Sequence, residues 1–178
     1  MILVTGATGR VGYPLLEALA DARAEATAMV RVEAKGLDLP GRGENLVGTL
    51  DDPPAADQLQ AFDRVFLLSP SSEAQAELEI VFIDALVAAG HGPHVVKVAA
   101  DGFLDPGCDV RFMRSHREIA RHLDATGLPV SYLAPAPYME MLLPTAQAIR
   151  QEATLYAPAG HGHVGFVAAA DVDRKSVV

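Results

Sequence analysis

Three glycines, Gly6, Gly9 and Gly12, stand at even spacing in the opening stretch MILVTGATGRVGYPLLEALA. They lie between a β-branched run and an amphipathic stretch, where a strand would turn sharply into a helix. Each glycine has its own use at such a turn. Gly6 permits the tight turn, Gly9 lets a pyrophosphate approach the backbone with no Cβ in the way, and Gly12 lets the helix pack closely on the sheet. The free N–H groups of the first helical turn then face the phosphates. A tight strand–helix turn with no ligand is the plain alternative, at a cost in chain entropy. Arg31 closes a second apolar run, ATAMVR. At that place this loop chemistry needs an acid for a ribose diol or an arginine for a 2′-phosphate. Glu33 comes two residues too late, so NADP(H) is expected over NAD(H). The alternative is a solvated arginine at a strand end.

Other residues with chemistry are weaker candidates. His116 carries a group that titrates near neutrality, and reads equally as a general acid or as a surface histidine near a helix start. Asp51 and Asp52 follow a third apolar run, either beside an adenine or capping the next turn. His161 and His163 have the spacing of a metal clip, but zinc wants three or four ligands and no third stands nearby, so no metal is expected. Cys108, with acids on either side in DPGCDV, is a poor thiolate. Ser69, Ser71 and Ser72 lack the glycine-flanked pattern of a nucleophile elbow. Met139, Met141, Leu142 and Leu143 suit either a pocket lining or simple packing.

These residues need a frame, and strand and helix signals alternate to supply it. ILVT, ATAMVR, ENLVGTL, DRVFLLS, HVVKVAA and LPVSYLA read as strands. Helices are expected over residues 11–21, briefly over 54–60, over 73–89 with Leu78, Val81, Phe82, Ala85 and Leu86 inward, and over 112–126. PYMEMLLPTAQAIR also looks helical, and LPGRG is a loop. Strands apolar on both faces and alternating with helices imply a doubly wound parallel sheet, Rossmann-like, with helices on both faces. Ligands then sit at the carboxyl ends of the strands.

Bulk properties narrow the classes. With 178 residues, half of them hydrophobic, a mean hydropathy of +0.20, a net charge of −9 and a pI near 5.0, the chain is a globular α/β candidate with no basic face for nucleic acid. No apolar run is long enough for a membrane span. One cysteine and no leader-like start fit a cytoplasmic setting.

Taken together, GATGRVG, MVR, LVGTLDDP, VFLLSPSS, HVVKVAA, HREIARHLDATGLPVSYLAPAPYMEMLL and LYAPAGHGHVGFV resemble the NmrA-like atypical short-chain dehydrogenases/reductases. These include NAD(P)H-dependent quinone and azo reductases and nucleotide sensors without turnover. The resemblance implies that Gly6, Thr8, Gly9, Arg10, Val11 and Gly12 hold the pyrophosphate and Arg31 the 2′-phosphate. It places Leu68, Ser69 and Pro70 along the nicotinamide ribose, Lys97 near the nicotinamide, and Pro135 to Tyr138 as a wall beyond the sixth strand. His116 takes the place where a related group carries a catalytic lysine. The tyrosine–lysine pair of the short-chain dehydrogenases, usually lacking in NmrA-like proteins, is absent here too: Tyr13, Tyr132, Tyr138 and Tyr156 are followed four residues on by Glu17, Ala136, Leu142 and Gly160. Ala99, Ala134 and Ala136 stand where relatives often carry polar groups. One domain over 1–178 is expected, with 154–178 the start of a substrate lobe that is largely missing. The implied activity is hydride transfer from NADPH to a small apolar acceptor such as a quinone. The alternatives are NADP(H) binding without turnover, or a cofactor-independent biosynthetic enzyme on the same fold. A small-molecule substrate and self-association are the expected contacts, with no nucleic acid or membrane.

Overall fold

A computed structural model describes residues 1–33, 39–40, 45–155 and 162–172. Among them, six parallel strands form one sheet in the order β3-β2-β1-β4-β5-β6. They are β1 (Ile2–Val4), β2 (Ala26–Val30), β3 (Leu46–Val47), β4 (Arg64–Leu67), β5 (His94–Val98) and β6 (Val130–Leu133). The order runs outward in both directions from β1, so the chain changes direction between β1 and β4. That is the switch point at which a crevice opens beyond the strand ends.

Strand residues alternate between two cores, because successive side chains point to opposite faces. Leu3, Val65, Leu67 and Val95 pack under α2 (Ala56–Leu59), α3 (Gln75–Ala89) and α4 (Arg111–Thr126), with Leu59, Phe82, Ile83, Leu86, Ile119 and Leu123. Val4, Phe66 and Val98 face the other way, against Val11, Leu15, Leu16 and Leu19 of the α1 region (α1, Gly12–Asp21). Helices therefore cover both faces, as the double-faced apolar strands require. Truncating a side chain as buried as Phe82 costs about 3–5 kcal/mol.

Three local expectations change. The third strand shrinks to Leu46–Val47: Gly48 lies against the Pro54 ring, and a turn then closes between Thr49 and Asp52, with backbone N–H to carbonyl at 3.1 Å. On α3, Val81 is exposed, while Gln75 and Glu79 are buried. PYMEMLLPTAQAIR is not one helix but a 3₁₀ stretch, Met139–Thr145, followed by α5, Ala146–Glu152. Pro144 lacks an N–H, and neither piece has a fully buried face to hold a longer helix.

Residues 167–172, beyond α5, return to the core. Tyr138 and Val167 form a parallel bridge, and Glu140 accepts the Ala169 N–H at 3.0 and 3.1 Å at the start of α6 (Ala169–Val172). Ala169 and Val172 enter the α1-side core. The segment expected from 154 onward as the start of a lobe thus rejoins this core over 167–172. His161, Tyr156 and most of LPGRG lie outside the described residues.

Candidate functional site

The switch point opens into a cleft of about 630 Å³. The β1–α1 loop (5–11), the ends of β2 and β3, Leu68 to Pro70 after β4, Leu78 of α3, and Tyr138 line it. Thr5 ties the loop to β4, its Oγ1 lying 2.8 Å from both the N–H and the carbonyl of Leu68. Gly6 turns the chain with φ +60°, and a Cβ there would stand 2.9 Å from the Leu68 carbonyl oxygen. At Gly12 a Cβ would lie 2.3 Å from the Gly6 carbonyl oxygen, so the helix could not start so close to the loop. Gly9 donates to the Gly6 carbonyl at 2.9 Å and leaves the cleft floor as bare backbone. Among the described residues, the N–H groups of Arg10 and Val11 have no backbone acceptor. A bare, donor-rich loop at a helix start suits a phosphate-bearing ligand.

Arg31 stands just past β2, exposed, and lines the cleft together with Thr49, Leu50 and Asp51 beyond the neighbouring β3. The Asp51 carboxyl is held below the usual carboxylate range by a hydrogen bond from Thr49, then by its own backbone, with a smaller contribution from the Arg31 charge.

The inner end is different: it rests on buried charge. Lys97 sits two residues after Val95, so alternation turns it to the α3–α4 face. There its ammonium lies 3.0 and 3.1 Å from the Glu79 carboxylate oxygens and bonds the Val98 carbonyl. Glu79 Oε1 also accepts from the Ser69 hydroxyl at 2.6 Å and from Gln75 Nε2 at 3.3 Å. Burial pulls the Lys97 ammonium down from its ordinary value, and Glu79 pushes it back up.

Gly6, Thr8, Gly9, Arg10, Val11, Arg31, Leu68, Ser69, Pro70 and Tyr138 all line this cleft, and Gly12 supports it from behind. Besides Gly12, two expected cofactor residues do not line it. Lys97 is committed to Glu79, and Pro135 instead accepts the Asp101 N–H at 3.0 Å. His116 also needs correction. It is no surface histidine: it is buried between the Phe103 and Phe112 rings, each 6.5 Å away. Burial first and the Lys97 charge second lower its pKa to about 4, so at neutral pH it is a neutral imidazole rather than a cationic acid. Among the described residues its Nδ1 has no hydrogen-bond partner. Tyr138 keeps its phenol proton, its pKa raised by burial and then by Glu140.

Glu79 and Gln75 are the residues that sequence reasoning missed. A signal was present: both fall on the stripe of α3 that carries Phe82 and Leu86, and a lysine interrupts the apolar run HVVKV. An acid and a base, each inside an otherwise buried element, are the trace of a pair.

No protein-family model matches the chain. It is 33% identical to an NAD(P)H azoreductase of Xenophilus azovorans over 99% of its own length and 62% of that protein's. It is 31% identical to a (4-alkanoyl-5-oxo-2,5-dihydrofuran-3-yl)methyl phosphate reductase of Streptomyces griseus subsp. griseus, with the same coverage. The chain thus spans about three fifths of these relatives. Its fold matches an NADPH-dependent quinone oxidoreductase of Escherichia coli, solved with NADPH, at a TM-score of 0.83 and 24% identity, over 97% of this chain and 62% of that one.

Proposed function

We propose that the chain acts as an NAD(P)H-dependent oxidoreductase of the atypical short-chain dehydrogenase/reductase type, a reading supported by its similarity to the two reductases and by the shared fold. In this reading it prefers NADP(H) and reduces a small, flat, apolar acceptor such as a quinone. The observation that carries it is the cleft at the switch point, with a loop that has no room for a Cβ at Gly6 or Gly12 and with Arg31 in its lining. The loop from Gly6 to Gly12 fits a pyrophosphate, and Arg31 fits a 2′-phosphate, which offers it a bidentate partner. The nicotinamide supplies the hydride. The protein's share is orientation and exclusion of water by Leu68, Pro70, Leu78 and Tyr138, with the Tyr138 phenol held protonated at the cleft wall. A cytoplasmic setting and a small-molecule partner belong to the same reading.

Binding without turnover is the second reading. One observation favours it: the Lys97 ammonium is tied to Glu79 and the His116 imidazole is neutral, so neither is a ready proton donor.

The deciding experiment titrates the chain with NADPH and NADH, then follows NADPH consumption with a quinone panel. Micromolar NADPH binding with turnover supports the oxidoreductase. Binding with no turnover moves the chain to the second reading, and no binding of either nucleotide overturns both.

A further inference from the structure

Ser69 meets the cleft with its hydrogen already committed. Its hydroxyl lies 2.6 Å from Glu79 Oε1, and an ionised carboxylate only accepts. The surrounding donors point to the ionised form. Gln75 Nε2 reaches the same oxygen at 3.3 Å, and the Lys97 ammonium reaches it at 3.1 Å and Oε2 at 3.0 Å. Lys97 in turn donates to Glu79 Oε1 and to the Val98 carbonyl and lies at ion-pair distance from Glu79 Oε2. The two charges balance, and among the described residues Glu79 Oε2 is without a hydrogen bond of its own. Both side chains are at most 1% exposed, so water does not compete for these bonds. Ser69 itself lines the cleft between Leu68 and Pro70. With its proton given to Glu79, its Oγ has only lone pairs to offer a ligand.

We propose that Glu79, anchored by Lys97, is a positioning residue that makes Ser69 an acceptor-only contact, reading an N–H or O–H donor on the nicotinamide half of the dinucleotide. The proposal rests on the dinucleotide reading above. Two donors on that half share this chemistry: the carboxamide amine and the ribose hydroxyls. A ligand presenting a bare carbonyl to Ser69 would meet oxygen lone pairs and bind less well.

The test is a set of calorimetric titrations of the full chain, of Ser69→Ala, and of the paired variant Glu79→Met/Lys97→Met. The probes are NADPH, its 3-acetylpyridine analogue (which lacks the amine), 2′-phospho-ADP-ribose (which lacks the nicotinamide ring), and adenosine 2′,5′-bisphosphate. Ser69→Ala is expected to weaken NADPH roughly two- to tenfold, the range of one hydrogen bond, and the paired variant to weaken it in the same direction. The bisphosphate never reaches Ser69, so its affinity should stay at the wild-type value in both. If the acetylpyridine analogue is weaker on the wild type and equal on Ser69→Ala, the donor is the amine. If 2′-phospho-ADP-ribose weakens with NADPH in Ser69→Ala, the donor is a ribose hydroxyl. Unchanged NADPH affinity in Ser69→Ala overturns the proposal, and unchanged affinity in the paired variant removes Glu79 from it. Loss of the bisphosphate along with NADPH would make the effect structural and overturn it too. A wild type that binds neither NADPH nor the bisphosphate refutes the dinucleotide reading itself, a different outcome from any of these.

Discussion

The Lys97 ammonium lies 3.0 Å from the Glu79 carboxylate, and neither side chain is more than 1% exposed. Removing one partner leaves a buried charge with no counter-ion. Glu79→Met or Lys97→Met alone should cost about 3–5 kcal/mol, while the paired change to Met should cost far less, because a buried ion pair roughly breaks even against apolar side chains of similar volume. Urea unfolding of the three variants gives the double-mutant cycle. Additive losses would show that the two residues do not act as a pair.

His116 ties stability to pH. Its folded pKa is about 4, below the 6.5 of an unfolded histidine. Between those values the unfolded chain binds the extra proton, so this contribution to stability is complete above about pH 6.5 and is lost as pH falls towards 4. The loss should be about 2 kcal/mol after discounting for partial solvent screening. Unfolding midpoints measured from pH 7 to pH 4 should fall more steeply for the wild type than for His116→Gln. Equal slopes would place the imidazole in water.

Gly12→Ala should damage both fold and cleft. The new Cβ would stand 2.3 Å from the Gly6 carbonyl oxygen, which is backbone and cannot swing aside. A loss of about 1–3 kcal/mol is expected, with nucleotide binding abolished in whatever remains folded. Wild-type stability and NADPH affinity in this variant would contradict the observed closeness of loop and helix.

Arg31→Ala separates the two nucleotides. NADPH should weaken roughly 10- to 100-fold, the value of charge-assisted hydrogen bonds to a phosphate, while NADH changes little. Stability should stay within about 0.5 kcal/mol, since Arg31 is exposed. Equal losses for both nucleotides would remove the 2′-phosphate as its partner.

Much of this protein is written locally. The even spacing of Gly6, Gly9 and Gly12 between ILVT and Leu15–Leu16 specifies a strand, a bare turn and a helix over a dozen residues, with no distant partner needed. Strands apolar on both faces and helices between them then specify a covered parallel sheet. Other elements depended on what they met in space. MEMLLPTAQAIR has helical residue types but packs no buried face, so it divides into a 3₁₀ stretch that contains Pro144 and a short helix from Ala146. Val81 and Glu79 are two residues apart on α3, and only packing against β5 decided that the acid goes inward and the valine outward. The same packing brought Lys97 from β5 to Glu79 and left His116 neutral behind them. The sequence by itself determined the strand–loop–helix grammar and the glycine cradle, because these follow from steric rules over neighbouring residues. The tertiary structure alone decided which charges are buried, paired or neutral, because burial and partnership come from segments that are far apart in the chain.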